Sequence, residues 1–391
     1  VEVYLNFSNK EKMLLGQVPY DAVSEVYLDV DEKKSELCDF MKLIGKRPIS
    51  IVPSKYKTMC DIIDAQGRDA ILTVPKEKLK VYIQECLGDV QNALCDKEDA
   101  DYLVTYLTIK RCLEGLSRAA IDYQKLAGLI SDTKNETITS NLKSFVPEVD
   151  SLCKPVTYCM TATNTGRLTV KSGPQILTSP ASVRSCLRSR HSEGKILQVD
   201  IISAEPKFAL HLKGEDIPVD VYTHVAKEIL DNSVERHHAK LITLCSLYGQ
   251  SAKNLEKKLP SNINARSVIR RTRDYFGFDF LKSRLKTELS NDNFRNAVGR
   301  PLKINENQDH LLISYYLQSS VAEGSILMFS NFIEKFQKFC DPIFVIHDAL
   351  LIDCQKDFAN VLLEKKNIRL SLGDWKFDAE VKLVSNIYEH E

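Results

Sequence analysis

The spacing of apolar positions changes several times along this chain, and each change predicts a different element. Lys195-Ile-Leu-Gln-Val-Asp200 is a short apolar run ending in a carboxylate, which reads as a strand. Pro342 to Asp353 reads as two apolar strands with His347-Asp348 at or near the turn. Between these lies a helix-sized stretch, Arg236 to Gly249, in which Arg236, Lys240, Leu244 and Tyr248 recur every four residues. At about 3.6 residues per turn they form one slowly drifting stripe, with cations at its N-terminal end and an aromatic ring at its C-terminal end.

The first 75 or so residues alternate strand-like pieces (Val23–Val30, Pro48–Val52, Ala70–Val74) with helical ones (Lys33–Leu43, Tyr56–Asp64), which predicts a small α/β unit. From Lys76 to about Ser131 the pattern turns helical, with Tyr102, Leu103, Tyr106, Leu107 and Leu113 at core spacing. Asn135–Asn141 is rich in Thr, Ser and Asn and predicts a loop. Pro53, Pro75 and Pro147 punctuate these stretches, and no repeat or low-complexity tract is present.

Composition narrows the class. A chain of 391 residues has room for two or three subdomains and a substantial core. Its 53 cationic and 53 anionic side chains balance, so a nucleic-acid binder of this composition must segregate charge by region. Arg184, Arg188 and Arg190 form one basic group, and Arg266, Arg270, Arg271 and Arg273 another. Each reads either as phosphate contacts or as a solvated helix face. Eleven cysteines without a paired Cys-x-x-Cys argue for reduced thiols and against zinc. No apolar run reaches the roughly 20 residues of a membrane span, and Val-Glu-Val-Tyr does not read as a signal peptide. The expected setting is intracellular and reducing, cytoplasm or host cytoplasm, with no membrane partner.

The chemistry lies in the strand ends and the stripe. If adjacent antiparallel strands carry Asp200 and Asp348 to one edge, the two carboxylates can hold a pair of divalent ions about 3.5–4 Å apart. Magnesium is the expected ion, with Mn²⁺ as an alternative, because Mg²⁺ accepts few protein carboxylates and completes its shell with phosphate oxygens and water. Along the stripe, Arg236 and Lys240 suit a triphosphate at a helix N-terminus, and Tyr248 with Gly249 offers a flat ring and a close backbone approach for a base. Taken alone, the stripe reads equally well as a surface helix with a basic edge.

With these parts in this order, the chain resembles a family A DNA polymerase over roughly Thr161 to Leu383. Thr165-Gly166-Arg167-Leu168 matches the family's Thr-Gly-Arg-Leu element, and Asp200 to Glu205 matches motif A. Arg236 through Gly249 matches motif B with every spacing kept, and Gly299-Arg300 matches the fingers-to-palm Gly-Arg. Gln318-Ser-Ser-Val-Ala322 matches the Gln-containing helix, and His347-Asp348 matches motif C. Six motifs in order are far more specific than one.

The resemblance implies a residue-by-residue assignment. Asp200 and Asp348 would be metal ligands, with the backbone carbonyl of Ile201 a third donor. Lys240 would bind the triphosphate and protonate the departing pyrophosphate, Arg236 would grip the outer phosphates, and Leu244 and Tyr222 would complete the nucleotide site. Tyr248 would stack near the templating base or occupy its place in the open state. Glu205 would fill the volume a ribose 2′-hydroxyl needs, favouring deoxynucleotides. Arg167 and Gln318 would reach minor-groove acceptors of the primer-template, His347 would contact the primer end, and Thr165, Gly249 and Arg300 belong to the DNA-binding set. Asp200 and Glu205 are an odd number apart, so the strand must end near Ser203, with Pro206 in the first turn of the following helix.

The implied architecture is α+β, a right-hand polymerase fold with an antiparallel palm sheet, helical fingers and thumb. Residues 1–75 would be the small α/β unit, 76–150 the thumb, 151–214 the first part of the palm, 215–299 the fingers and 300–391 the second part of the palm. The implied activity is template-directed addition of dNTPs to a primer 3′-hydroxyl with two metal ions, as in DNA replication or repair. Asp29-Val-Asp31 faintly resembles a 3′–5′ exonuclease motif, but the unit is too short and no further acidic motifs follow at useful spacing, so an acidic loop or strand end is the better reading. A separate exonuclease or processivity subunit is then an implied partner. The chain departs from the family at Ala349 (family Glu), Leu244 (Phe or Tyr), Tyr222 (His), Ser314 (Asn) and Lys207 (Arg), as in a divergent, phage-like branch. The rivals are a single-subunit RNA polymerase, disfavoured by Glu205, and a non-catalytic relative, disfavoured by Asp200, Asp348 and Lys240.

Overall fold

In the computed structural model the described residues are 2–8, 11–17, 25–29, 36–46, 54–64, 72–291, 293–305 and 308–384. They divide into two compact units, residues 1–108 with 298–301, and residues 109–297 with 302–391.

The first unit opens with strands β1 (Glu2–Ser8) and β2 (Glu11–Gln17), paired antiparallel, and β3 (Glu25–Asp29), parallel to β1. The β1–β2 hairpin was not among the expected elements, although Val1-Glu-Val-Tyr-Leu-Asn-Phe alternates with the period of a half-buried strand. Helices follow at Glu36–Leu43, Ser54–Ile62, Lys76–Ala93 and Lys97–Glu114. The strand expected at Ala70–Val74 is not seen in its described part, where Leu72 is helical and Thr73–Val74 turn the chain into Pro75, the N-cap of the next helix. Proline supplies the fixed φ such a start needs, and it removes a donor that a strand would have to pair. Pro48–Val52 and Asp31 fall outside the described residues. The core of the unit is aromatic: Phe40 lies 6.0 Å from the Tyr102 ring and 5.5 Å from that of Tyr106. Arg300 is buried here, donating from its guanidinium to the Tyr102 hydroxyl at 3.3 Å.

The second unit contains two small ribbons, β4 (Ala120–Ile121) with β7 (Leu187–Arg188) and β5 (Thr157–Cys159) with β6 (Thr169–Ser172). Its main sheet is built from β8 (Lys195–Ile201), β9 (Cys340–Ile346), β10 (Ala349–Cys354), β11 (Asn367–Leu372) and β12 (Trp375–Leu383). The strand order is β11-β12-β8-β10-β9, with every neighbour antiparallel. The apolar runs that predicted β8, β9 and β10 therefore become the middle and one side of this sheet, and they are nearly continuous in burial because both faces are covered.

Strand alternation assigns the faces. Leu197, Val199 and Ile201 share one face of β8, and Leu350 and Ile352 extend it on β10. The helices Leu312–Phe336 and Ala204–Lys213 pack against the sheet; Gly324 of the former sits against the Trp375 indole, where a Cβ would collide. The opposite face carries Ile196, Leu351, Phe344 and Ile346, which join Leu126, Leu142, Phe145 and Val183 in a second buried cluster. That apolar cover stops short of one end of the sheet. There the same face changes from Ile196 to Gln198 and Asp200 on β8, and carries Glu380 and Lys382 on β12.

Asn135–Asn141 is not the expected loop. Residues Glu136–Lys143 form a helix, with the Asn135 side chain accepting from the Ile138 backbone N–H at 3.1 Å. The polar residue that suggested a loop is the N-cap, a preference with the same local hydrogen-bonding cause. No described helix is long and apolar enough to cross a membrane.

Candidate active site

The β9–β10 hairpin is tight. Ile346 pairs with Ala349, leaving only His347 and Asp348 to turn the chain, and His347 takes φ 54° in the left-handed region. A side chain held there costs about 1 kcal/mol, a local strain common where a turn must aim functional groups. Ala349 in turn pairs with Asp200 of β8, and the Ile201 N–H donates to the Asp348 carbonyl at 3.0 Å. The expected convergence of the two aspartates at one sheet edge is what the backbone ladder produces.

After Ile201 the chain leaves the sheet at once. Ser203 (φ 54°) starts the helix Ala204–Lys213, with Pro206 in its first turn. Glu205 is thereby returned to the side of the sheet edge, despite the odd spacing from Asp200. Its carboxylate accepts from Arg167 at 3.2 Å and from the Tyr248 hydroxyl at 3.0 Å.

The stripe helix spans Arg236–Leu247, with Tyr248 as its C-cap and Gly249 at φ 67°. Arg236 and Lys240 both reach the Tyr222 ring, 5.5 and 5.8 Å from its centroid. Arg236 also donates to Asp220, at 2.6 Å from Nε and 3.3 Å from Nη2, while Asp220 caps the helix that begins at Val221. Burial acts to raise the Asp220 carboxyl, but hydrogen bonds from Arg236 and Thr223 outweigh it and hold it at about 2.

A cleft of about 620 Å³ joins these parts. The sheet edge contributes Asp200, Ile201, His347 and Asp348, and the stripe contributes Arg236, Lys240, Leu244 and Tyr248. Arg167, Glu205, Tyr222 and Gln318 complete the part of its wall that the sequence singled out. Three of the singled-out residues do not line it. Thr165 is buried, Gly249 opens onto a neighbouring cavity of similar size, and Arg300 is buried in the first unit.

Negative charge gathers at the sheet edge. Burial, then the neighbouring Asp200 and Glu205 carboxylates, push Asp348 up to about 7, and burial also raises Asp200. Like charges drawn together out of water favour keeping a proton until a cation compensates them. An all-oxygen donor set of this kind fits a hard divalent ion such as Mg²⁺. Burial, Arg167 and Arg184 lower the His347 imidazole, leaving it neutral over a wider range. Among the described residues, a group of three metal-ligand side chains with atoms within 4.8 Å of one another occurs elsewhere, at the open start of the stripe helix, where Glu235, His237 and His238 meet.

No protein-family model and no curated protein matches this sequence. Among solved structures the chain is similar to one described as "POL domain of Pol1 from M. smegmatis complex with DNA primer-template and dNTP", with TM-score 0.56 and 14% identity, over 84% of this chain and 76% of that one. The fold is polymerase-like. At such identity the likeness is one of architecture.

The geometry of the site includes groups the sequence pattern did not single out. Glu380 and Lys382 line the cleft, and Asp220 holds Arg236. Glu380 and Lys382 alternate with apolar residues on β12, a signal indistinguishable from an ordinary solvated strand face until the register with Asp200 is known.

Proposed function

We propose that this protein is a template-directed DNA polymerase that adds deoxynucleotides to a primer 3′-hydroxyl with the help of two divalent ions. The observation that carries this reading is the convergence of Asp200, on β8, and Asp348, in the turn that leads into the neighbouring antiparallel strand β10, at a cleft whose other wall bears Arg236 and Lys240. The likeness of fold to a polymerase domain supports it, as does the order of the motifs along the chain.

In this reading Asp200, Asp348 and the Ile201 carbonyl hold the ions. Bound Mg²⁺ would supply Lewis acidity to the attacking hydroxyl and charge neutralisation to the phosphates. Arg236 binds the outer phosphates, and Asp220 keeps its guanidinium extended from the first turn of the helix. Lys240, one turn deeper, stabilises the charge that develops on the leaving pyrophosphate and donates a proton to it. Glu205, fixed between Arg167 and Tyr248, closes the space beside the sugar C2′ and so disfavours ribonucleotides. Gln318, Arg167 and His347 contact the primer-template near its reactive end. The same reading assigns the main sheet to the palm, residues 215–299 to the fingers and residues 76–150 to the thumb. A separate exonuclease or processivity subunit is the further partner this reading implies.

Primer extension with Mg²⁺ tests the reading, using deoxy- and ribonucleotides on DNA and RNA templates. Extension with dNTPs on DNA is the expected result. Preference for ribonucleotides would point to an RNA polymerase, and no extension under any pairing would leave only a binding role.

A further inference from the structure

Asp200 lies in the middle of a row that crosses the sheet in register. Ala349 of β10 is on one side of it and Glu380 of β12 on the other. Directly paired residues of antiparallel strands point to the same face, with Cβ atoms about 4.5–5.5 Å apart. One flank of Asp200 therefore carries a methyl group, and the other a carboxylate on a chain long enough to lean over the sheet edge. Glu380 lines the same cleft as Asp200 and Asp348. It forms an ion pair with Lys382, two residues along the same face, with 2.7 Å between Nζ and Oε2. Lys382 pairs in register with Gln198, whose side-chain amide donates to Asp200 at 3.3 Å and whose carbonyl accepts from Arg184 at 3.0 Å. The charges of both Glu380 and Lys382 are felt at Asp200, in opposite senses.

We infer that Glu380 is a positioning carboxylate of the ion-binding edge, supplying from β12 the negative charge that the Ala349 flank does not, with Lys382 as the counter-charge that moderates it. This deepens the polymerase reading and rests on its assignment of Asp200 as an ion-binding residue. Glu380 is strand-borne, so the backbone from which its side chain extends is set relative to Asp200 by the β8–β12 ladder and not by a loop. Lys382 is an ammonium beside the ion-binding edge; on cation binding it and the cation compete for the same carboxylate. The two residues therefore act with opposite sign, which a merely structural ion pair does not do.

The test is a titration of the full chain with Mn²⁺ alone, in the absence of nucleotide and DNA, following free Mn²⁺ by its paramagnetic resonance. Wild type is compared with Asp200→Asn, Glu380→Gln, Glu380→Asp and Lys382→Ala. The inference predicts that Glu380→Gln weakens Mn²⁺ binding roughly fivefold, Glu380→Asp restores much of that loss, and Lys382→Ala tightens binding by a few-fold. Loss of binding in Asp200→Asn with no change in Glu380→Gln and Lys382→Ala would overturn the inference and leave the polymerase reading standing. Unchanged binding in Asp200→Asn would overturn the reading beneath it. Should Glu380→Gln fail to fold, Lys382→Ala decides alone: tighter binding supports the inference, and unchanged or weaker binding overturns it.

Discussion

The Tyr248 hydroxyl donates to the Glu205 carboxylate at 3.0 Å, linking the C-terminal end of the stripe helix to the first turn after β8. Arg167 holds the same oxygen from the other side at 3.2 Å. Glu205 is thus fixed by two donors, and it raises the Tyr248 phenol, whose pKa is elevated first by burial and then by this carboxylate. A carboxylate so fixed is a rigid wall for a sugar, more so than a solvated one.

Replacing Glu205 with Ala should therefore admit ribonucleotides. The ratio of kcat/KM for dNTP over the matching NTP is expected to fall by at least about tenfold, equivalent to about 1.4 kcal/mol of lost discrimination. Tyr248→Phe keeps the ring and removes one of the donors, so a smaller fall in the same direction is expected. An unchanged ratio in Glu205→Ala places the gate elsewhere.

Arg236 and Lys240 lie on one stripe but meet different partners. Arg236 is held by Asp220 near the start of the helix, while Lys240 is one turn deeper, with its Nζ 5.8 Å from the centre of the Tyr222 ring. Single-turnover kinetics should show Arg236→Ala raising the half-saturating nucleotide concentration with little change in maximal rate. Lys240→Ala should lower the maximal rate, because its charge matters most as pyrophosphate departs. The reverse assignment would mean that the triphosphate runs along the helix in the other sense.

Asp348 supplies a pH dependence with a definite sign. Its folded value of about 7 lies above the ordinary 3.8, so its protonated form favours the folded state. That contribution is present below about pH 4 and is lost as pH rises through 7. Without divalent ions, Asp348→Asn should consequently be more stable than wild type at pH 8, by about 2 kcal/mol after allowance for solvent at the cleft. Metal binding by the wild type should strengthen as pH rises through about 7. Denaturant melts at pH 5 and pH 8 check the first point; equal stability of the two proteins at pH 8 would contradict it.

Much of the candidate site was legible in the sequence because its parts are local: a strand ending in Asp200, a turn carrying His347-Asp348 and a stripe at fourfold spacing. Each forms from neighbouring residues whatever surrounds it. What could not be read was register. Glu380 meets Asp200 only because β12 pairs with β8 across a separation of 180 positions of sequence, and no periodicity encodes that. The Asn135–Asn141 segment shows a different limit, since Asn serves equally in loops and as a helix cap, and only the following Glu136–Lys143 helix distinguishes them. Arg300 lies beside a glycine in the resemblance motif, yet its burial against Tyr102 comes from packing that the motif does not report.

Packing beneath the sheet can be tested through Gly324. A methyl group there would run into the Trp375 indole, at the contact between the helix Leu312–Phe336 and β12. Gly324→Ala is expected to lower stability by about 1–3 kcal/mol, in spite of alanine's better helix propensity. Pairing it with Trp375→Leu should recover part of the loss. A neutral or stabilising Gly324→Ala would mean that this helix does not pack as described.

The most direct test of the account is single-turnover primer extension with Mg²⁺ by wild type, Asp200→Asn and Asp348→Asn, alongside primer-template binding by each. Both variants should bind primer-template nearly as well as wild type and extend it at least a hundredfold more slowly, since each loses a charge that acts on the transition state. If either variant retains more than about a tenth of the wild-type rate, the assignment of the two strand-end carboxylates as the ion-binding centre is wrong.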